Sequence, residues 1–215
     1  MSVTREFLSL IDFHLRGVRE DFVVGATGAL QNPDEVLSDE RCQYFIDKFE
    51  KDTSAQEVQN NSHYTEMGEK RATLTQINML HSPDTLWKED VNFLMTTISK
   101  CVESYKMEHE ITPYQWPDKY SLEPPKMKRY LPDTSDEFPP HVDVLDYETA
   151  RRFLVAFFYL SDNIGGHTFF PTMDLEVECK KGSCMMFPPL WTHIHGGARP
   201  VISPKYIIGS YLQYV

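Results

Sequence analysis

The sequence predicts an α+β domain, a β-sandwich or barrel buttressed by N-terminal helices, and three observations carry that expectation. Helical periodicity is confined to the first half of the 215 residues, short β-rich segments crowd the second half from about Tyr120, and one of them, Phe153 to Leu160, is apolar on both faces. Helices first and many short strands afterwards is the order of an α+β fold, since a parallel α/β sheet would alternate the two. The length suits one domain with a sizeable core, and no repeat, low-complexity tract or linker divides it. A single domain over residues 1–215 is expected, helical and loop-rich to about 110, with the β core over about 120–215.

Taken in order, the first helix follows Asn32, where Ser38 is placed to cap a turn that holds Asp39 and Glu40. A polar stretch from Asn60 reads as a loop that passes into a strand at KRATLTQINML. In the second helix Ser82 is a plausible N-cap with Pro83 behind it, and Val91, Leu94, Ile98, Val102 and Tyr105 form one apolar stripe. Ile111 to Pro125 reads as a loop. The strands are KMKRYL, RRFLVAFFYL, HTFF, LEVEC, SCMMF and KYIIGSYLQYV, all rich in β-branched and aromatic residues.

A net charge of −11, from 21 basic and 32 acidic residues, argues against a broad nucleic-acid surface, because such affinity leans on Lys and Arg at the phosphates. No segment is long and apolar enough to span a bilayer, and the charged N-terminal stretch lacks a signal-peptide core, so no membrane partner and a cytoplasmic location are expected. Cys42, Cys101, Cys179 and Cys184 show neither a C-x-x-C pair nor zinc-finger spacing, which favours reduced, buried thiols; Cys179 and Cys184 flank a hairpin and are the one pair placed to face each other.

The candidate chemistry begins at FPPHVDVLD. Side chains two apart on a strand share a face, so His141 and Asp143 offer two ligands to one metal ion. The third has three candidates downstream, His167, His193 and His195. Two histidines and one carboxylate leave coordination positions open, as in non-haem Fe(II) oxygenases, whereas a structural zinc site fills its sphere with protein groups.

Taken together, HVD, RFLVAFFYLSDNIGGHTFFP and FPPLWTHIHGGARPVISPKYIIGSYL resemble the catalytic core of the Fe(II)- and 2-oxoglutarate-dependent dioxygenases, in particular the prolyl 4-hydroxylase-like family. The resemblance covers about residues 125–215 and implies a double-stranded β-helix, or jelly roll. It implies His141, Asp143 and His195 as metal ligands and catalytic centre, with Lys205, ten residues after His195, answering the far carboxylate of 2-oxoglutarate. Tyr130 and Thr168 would line the same pocket, although Tyr130 stands one residue farther from the metal histidine than is usual. His167 takes the place of the usual acidic residue and should point away from the pocket, and Tyr211 stands where many relatives have tryptophan.

Arg71 and Arg152 match arginines that contact peptide in family members, and Trp116 could add an aromatic wall. The implied activity is hydroxylation of peptidyl proline, with decarboxylation of 2-oxoglutarate to succinate, Fe(II) and O2 as the other requirements and room for ascorbate. The same chemistry on a free amino acid or other small molecule is the nearest alternative, and a non-catalytic metal-binding jelly roll is the alternative from another class.

Overall fold

The computed structural model describes residues 36–65, 68–80 and 85–215. Helix α1 (Asp39–Lys51) starts where the sequence places it, with the Ser38 hydroxyl accepting from the Arg41 amide at 3.3 Å and acidic residues in the first turn. Helix α2 (Lys88–Glu108) buries Val91, Leu94, Ile98, Val102 and Tyr105. Its expected cap, Ser82 with Pro83, lies outside the described residues, and the helix follows a 3-10 turn at Thr85–Trp87. Asp90, buried on α2, takes hydrogen bonds from Arg41 at 2.8 Å and Lys48 at 2.5 Å on α1, which ties the two helices together through charge.

Thirteen strands are described, as β1 (Glu57–Asn60), β2 (His63–Thr65), β3 (Gly68–Lys70), β4 (Thr73–Asn78), β5 (Tyr120–Leu122), β6 (Lys126–Tyr130), β7 (Phe138–His141), β8 (Arg152–Tyr159), β9 (Thr168–Phe170), β10 (Leu175–Val177), β11 (Cys184–Phe187), β12 (His195–Gly197) and β13 (Lys205–Tyr214). The larger sheet runs β1-β4-β6-β13-β8-β11 with β5 also on β13, and the smaller runs β10-β9-β12-β7. All their strand pairs are antiparallel.

The doubly apolar strand β8 explains the layering. Leu154, Ala156 and Phe158 join a core that contains Phe45, Phe49, Leu94 and Ile98 from the helices, whereas Val155, Phe157 and Tyr159 join a second cluster with Phe170 and Phe187. Alternate side chains of one strand thus bury against helices on one side and against the second sheet on the other. The jelly-roll expectation and its helical buttress are both met.

Three local readings change. The polar stretch taken as a loop holds a two-stranded ribbon of β2 on β3, and the Ile111 to Pro125 loop contains β5, which adds to the far end of β13. Strand β7 stops at His141, so Asp143 follows the strand instead of sharing it. All four cysteines are free and buried. Among the described residues no helix is long and apolar enough to cross a membrane.

Candidate metal centre

The two histidines meet because β7 and β12 are neighbours in the smaller sheet. His141 and His195 are direct cross-strand partners, with ring centroids 4.4 Å apart, and the register shifts just beyond, between His195 and Gly197. Asp143 reaches the same point from the loop after β7, where its amide donates to the Pro189 carbonyl at 3.2 Å. Its Oδ1 lies 3.5 Å from His141 Nε2 and its Oδ2 lies 3.5 Å from His195 Nε2. Ligand atoms of the three residues all fall within 4.8 Å of one another.

Hydrogen bonds orient the three groups inward. His141 Nδ1 sits 2.8 Å from the Pro139 carbonyl and His195 Nδ1 sits 3.0 Å from the His193 carbonyl. A carbonyl can only accept, so each Nδ1 carries the proton and each Nε2 presents a lone pair to the centre. The Tyr211 hydroxyl donates to Asp143 Oδ1 at 2.7 Å, while Asp143 Oδ2 is buried without a hydrogen-bond partner.

Burial pushes the His195 imidazole down to about 4 against the pull of Asp143. Burial would raise the Asp143 carboxyl, but the polar groups around it, His141, His195 and the Tyr211 hydroxyl, outweigh it and lower it to about 2. A carboxylate and a neutral imidazole therefore coexist at neutral pH. An orphaned buried carboxylate oxygen facing imidazole lone pairs is the donor set a divalent cation satisfies, and three protein ligands leave positions open.

A cavity of about 280 Å³ adjoins the triad and is lined by all three ligands with Tyr130, Thr168 and Lys205. Lys205 is 2% exposed, faces Tyr130 across the β13–β6 ladder and donates to the Gly166 carbonyl at 2.5 Å. That carbonyl is delivered by the Gly165-Gly166 turn, whose φ values of +72° and +66° suit glycine; a Cβ on Gly165 would lie 2.9 Å from the Arg199 carbonyl oxygen. Burial lowers the Lys205 ammonium. The Thr168 hydroxyl pairs with that of Tyr159 at 2.6 Å, and burial raises the Tyr130 phenol. A buried ammonium held by the Gly166 carbonyl with the Cys179 thiol beside it still has a donor left for an anion.

Of the residues assigned to a peptide groove, Arg152 lines the cavity and Arg71 and Trp116 do not. Arg152 forms a two-pronged salt bridge to Glu123 at 2.6 and 2.8 Å, lies over the Tyr211 ring at 4.0 Å and donates to the Asp143 carbonyl at 3.1 Å. Arg71 is exposed ahead of β4. Trp116 packs edge-on against Phe153 and Tyr120 at 5.2 and 5.9 Å, on the helix side of the larger sheet, because β5 and β8 there offer it two ring edges.

Neither other histidine joins the triad. His193 stacks on Phe187 with its Nδ1 2.8 Å from the Thr192 hydroxyl, and His167 points to Glu176 at 3.5 Å. Three contributors were missed as site residues: Tyr159, Glu123 and Lys128. Tyr159 and Lys128 carry a period-2 signal, since Lys128 lies two before Tyr130 on one strand, while Glu123 gives no sequence signal.

The fold defines a class: the chain has the fold of the 2-oxoglutarate- and Fe(II)-dependent oxygenases, with a triad that could hold a metal ion on its smaller sheet. Among solved structures it is similar to the viral collagen prolyl hydroxylase of Paramecium bursaria Chlorella virus-1 in its 2-oxoglutarate complex, at TM-score 0.55 and 19% identity over 85% of this chain and 93% of that one. It is similar also to a 2OG-Fe(II) oxygenase family oxidoreductase from Burkholderia pseudomallei, at 0.61 and 10% over 94% and 90%. A non-haem α-ketoglutarate-dependent epimerase of nogalamycin biosynthesis matches at 0.59 and 14% over 95% and 84%. By sequence, no family model and no curated protein matches the chain.

Proposed function

We propose that this chain is an Fe(II)- and 2-oxoglutarate-dependent hydroxylase acting on peptidyl proline, as a single cytoplasmic domain. The observation that carries the reading is the convergence of His141, Asp143 and His195 beside a cavity closed by a buried lysine. These three residues would hold Fe(II), which with 2-oxoglutarate and O2 supplies oxidative decarboxylation to succinate and hydroxylation of the substrate.

The chain's own residues do the rest. Tyr211 holds one carboxylate oxygen of Asp143, and the carbonyls of Pro139 and His193 fix the imidazole tautomers. Lys205, with Tyr130 and Thr168 beside it, binds the distal carboxylate of 2-oxoglutarate at the closed end. Arg152 keeps the Asp143 loop and the Tyr211 ring in place. Proline as substrate draws support from the similarity to a prolyl hydroxylase, while the epimerase shows that the fold also serves small-molecule chemistry. The test is succinate formation from 2-oxoglutarate with Fe(II), scored against proline-containing peptides and against free amino acids. Stimulation by peptides supports the reading, and stimulation by free amino acids alone transfers the chemistry to a small substrate.

A further inference from the structure

The cavity holds more positive charge than its own groups and the proposed cosubstrate use. Lys126, Lys128, Arg152 and Lys205 line it, against the carboxylates of Glu123 and Asp143. Glu123 is taken by Arg152, and Asp143 belongs to the metal triad. Lys205 is assigned to 2-oxoglutarate, whose two carboxylates are then divided between it and the metal. Lys126 and Lys128 remain, in a protein whose net charge is −11.

Lys128, like Lys126, is half-buried. It stands on β6 between Lys126 and Tyr130 with its side chain on their face, opposite Gln76 of β4 and Ile207 of β13. Among the described residues no carboxylate lies within ion-pair distance of its ammonium, which sits 4.8 Å from the centroid of the Phe138 ring. Burial pushes it down to about 8, against the opposing pull of Asp143, so it remains a cation at neutral pH. A half-buried ammonium with no carboxylate partner carries part of its desolvation cost uncompensated in the free protein. That cost is offset when a ligand brings an anion to it.

We propose that Lys128 reads the substrate, and that the substrate of this site carries a carboxylate that pairs with Lys128 when it lies in the cavity beside the triad. The inference rests on the 2-oxoglutarate oxygenase reading and adds a specificity to it. The carboxylate has two possible sources, an acidic side chain flanking proline in a peptide or the carboxylate of a free amino acid.

The experiment uses the full chain with Fe(II) and 2-oxoglutarate under argon, so that binding is read without turnover. Three proline-peptide pools differ only in having Glu, Gln or Lys beside the proline, and a separate arm contains free proline, aspartate and glutamate. The expected result is that wild type binds the Glu pool, or the free acids, about tenfold or more tightly than the Gln pool. Lys128→Met, which keeps the stem and loses the charge, should abolish that preference, and Lys128→Glu should turn it toward the Lys pool.

Which arm binds identifies the source of the carboxylate. Absence of acid preference in wild type, which requires no variant to fold, overturns the proposal while leaving 2-oxoglutarate binding and succinate formation intact. A loss of 2-oxoglutarate affinity in Lys128→Met as large as that in Lys205→Met also overturns it, because Lys128 would then serve the cosubstrate. Failure of wild type to bind 2-oxoglutarate at all sinks the underlying hydroxylase reading instead.

Discussion

Tyr211→Phe removes one oxygen atom from a half-buried ring and tests how the triad is held. The hydroxyl donates at 2.7 Å to Asp143 Oδ1, the oxygen that also lies 3.5 Å from His141. Because Asp143 Oδ2 already has no donor, the carboxylate loses its shortest hydrogen bond, and neither imidazole Nε2, which carries a lone pair, can replace it. A hydrogen bond to a charged group contributes about 1.5–3 kcal/mol, and partners that orient metal ligands typically govern about 10–100-fold in metal affinity, so the two figures agree near 2 kcal/mol, or roughly thirtyfold. Anaerobic titration calorimetry with Fe(II), on wild type and on folded Tyr211→Phe, reads this directly. The metal-free variant should also melt below wild type, because its buried carboxylate is less satisfied. Equal Fe(II) affinity in the two proteins would refute the idea that Tyr211 positions Asp143.

Lys205→Ala should leave Fe(II) binding in place and weaken 2-oxoglutarate by roughly thirtyfold or more, measured by equilibrium binding, since losing one partner of a buried charge pair costs about 2–5 kcal/mol. His195→Ala should lose Fe(II) binding in the same titration while His193→Ala keeps most of it; the reverse pattern would exchange the two roles. Asp90→Ala should destabilise the fold by about 2–3 kcal/mol in denaturant melts, less than for a fully buried pair because Arg41 and Lys48 are partly exposed.

The strand segments were legible because β propensity and turn residues agree over them, and β8 announced its layering by being apolar on both faces. His141 and Asp143 were legible as a spacing, although the reason given, a shared strand face, is not how Asp143 arrives: β7 ends first and the loop carries it. His195 was one of three candidates until the family resemblance and Lys205 selected it, and the structure puts it opposite His141. What could not be read was pairing between distant residues. Glu123 meets Arg152 across 29 positions and Tyr211 meets Asp143 across 68, and no local pattern encodes such contacts. Trp116 looked like a groove residue by composition alone, and packing against Phe153 decided otherwise.

The measurement that bears most directly on the account is release of labelled CO2 from 1-labelled 2-oxoglutarate, with Fe(II) and O2, in the presence of pooled proline peptides and free amino acids. The account predicts release by wild type in step with succinate, abolished by a chelator and absent from His141→Ala and His195→Ala. Iron-loaded, folded wild type that binds the metal but releases no CO2 would contradict it, and so would release that survives loss of both histidines.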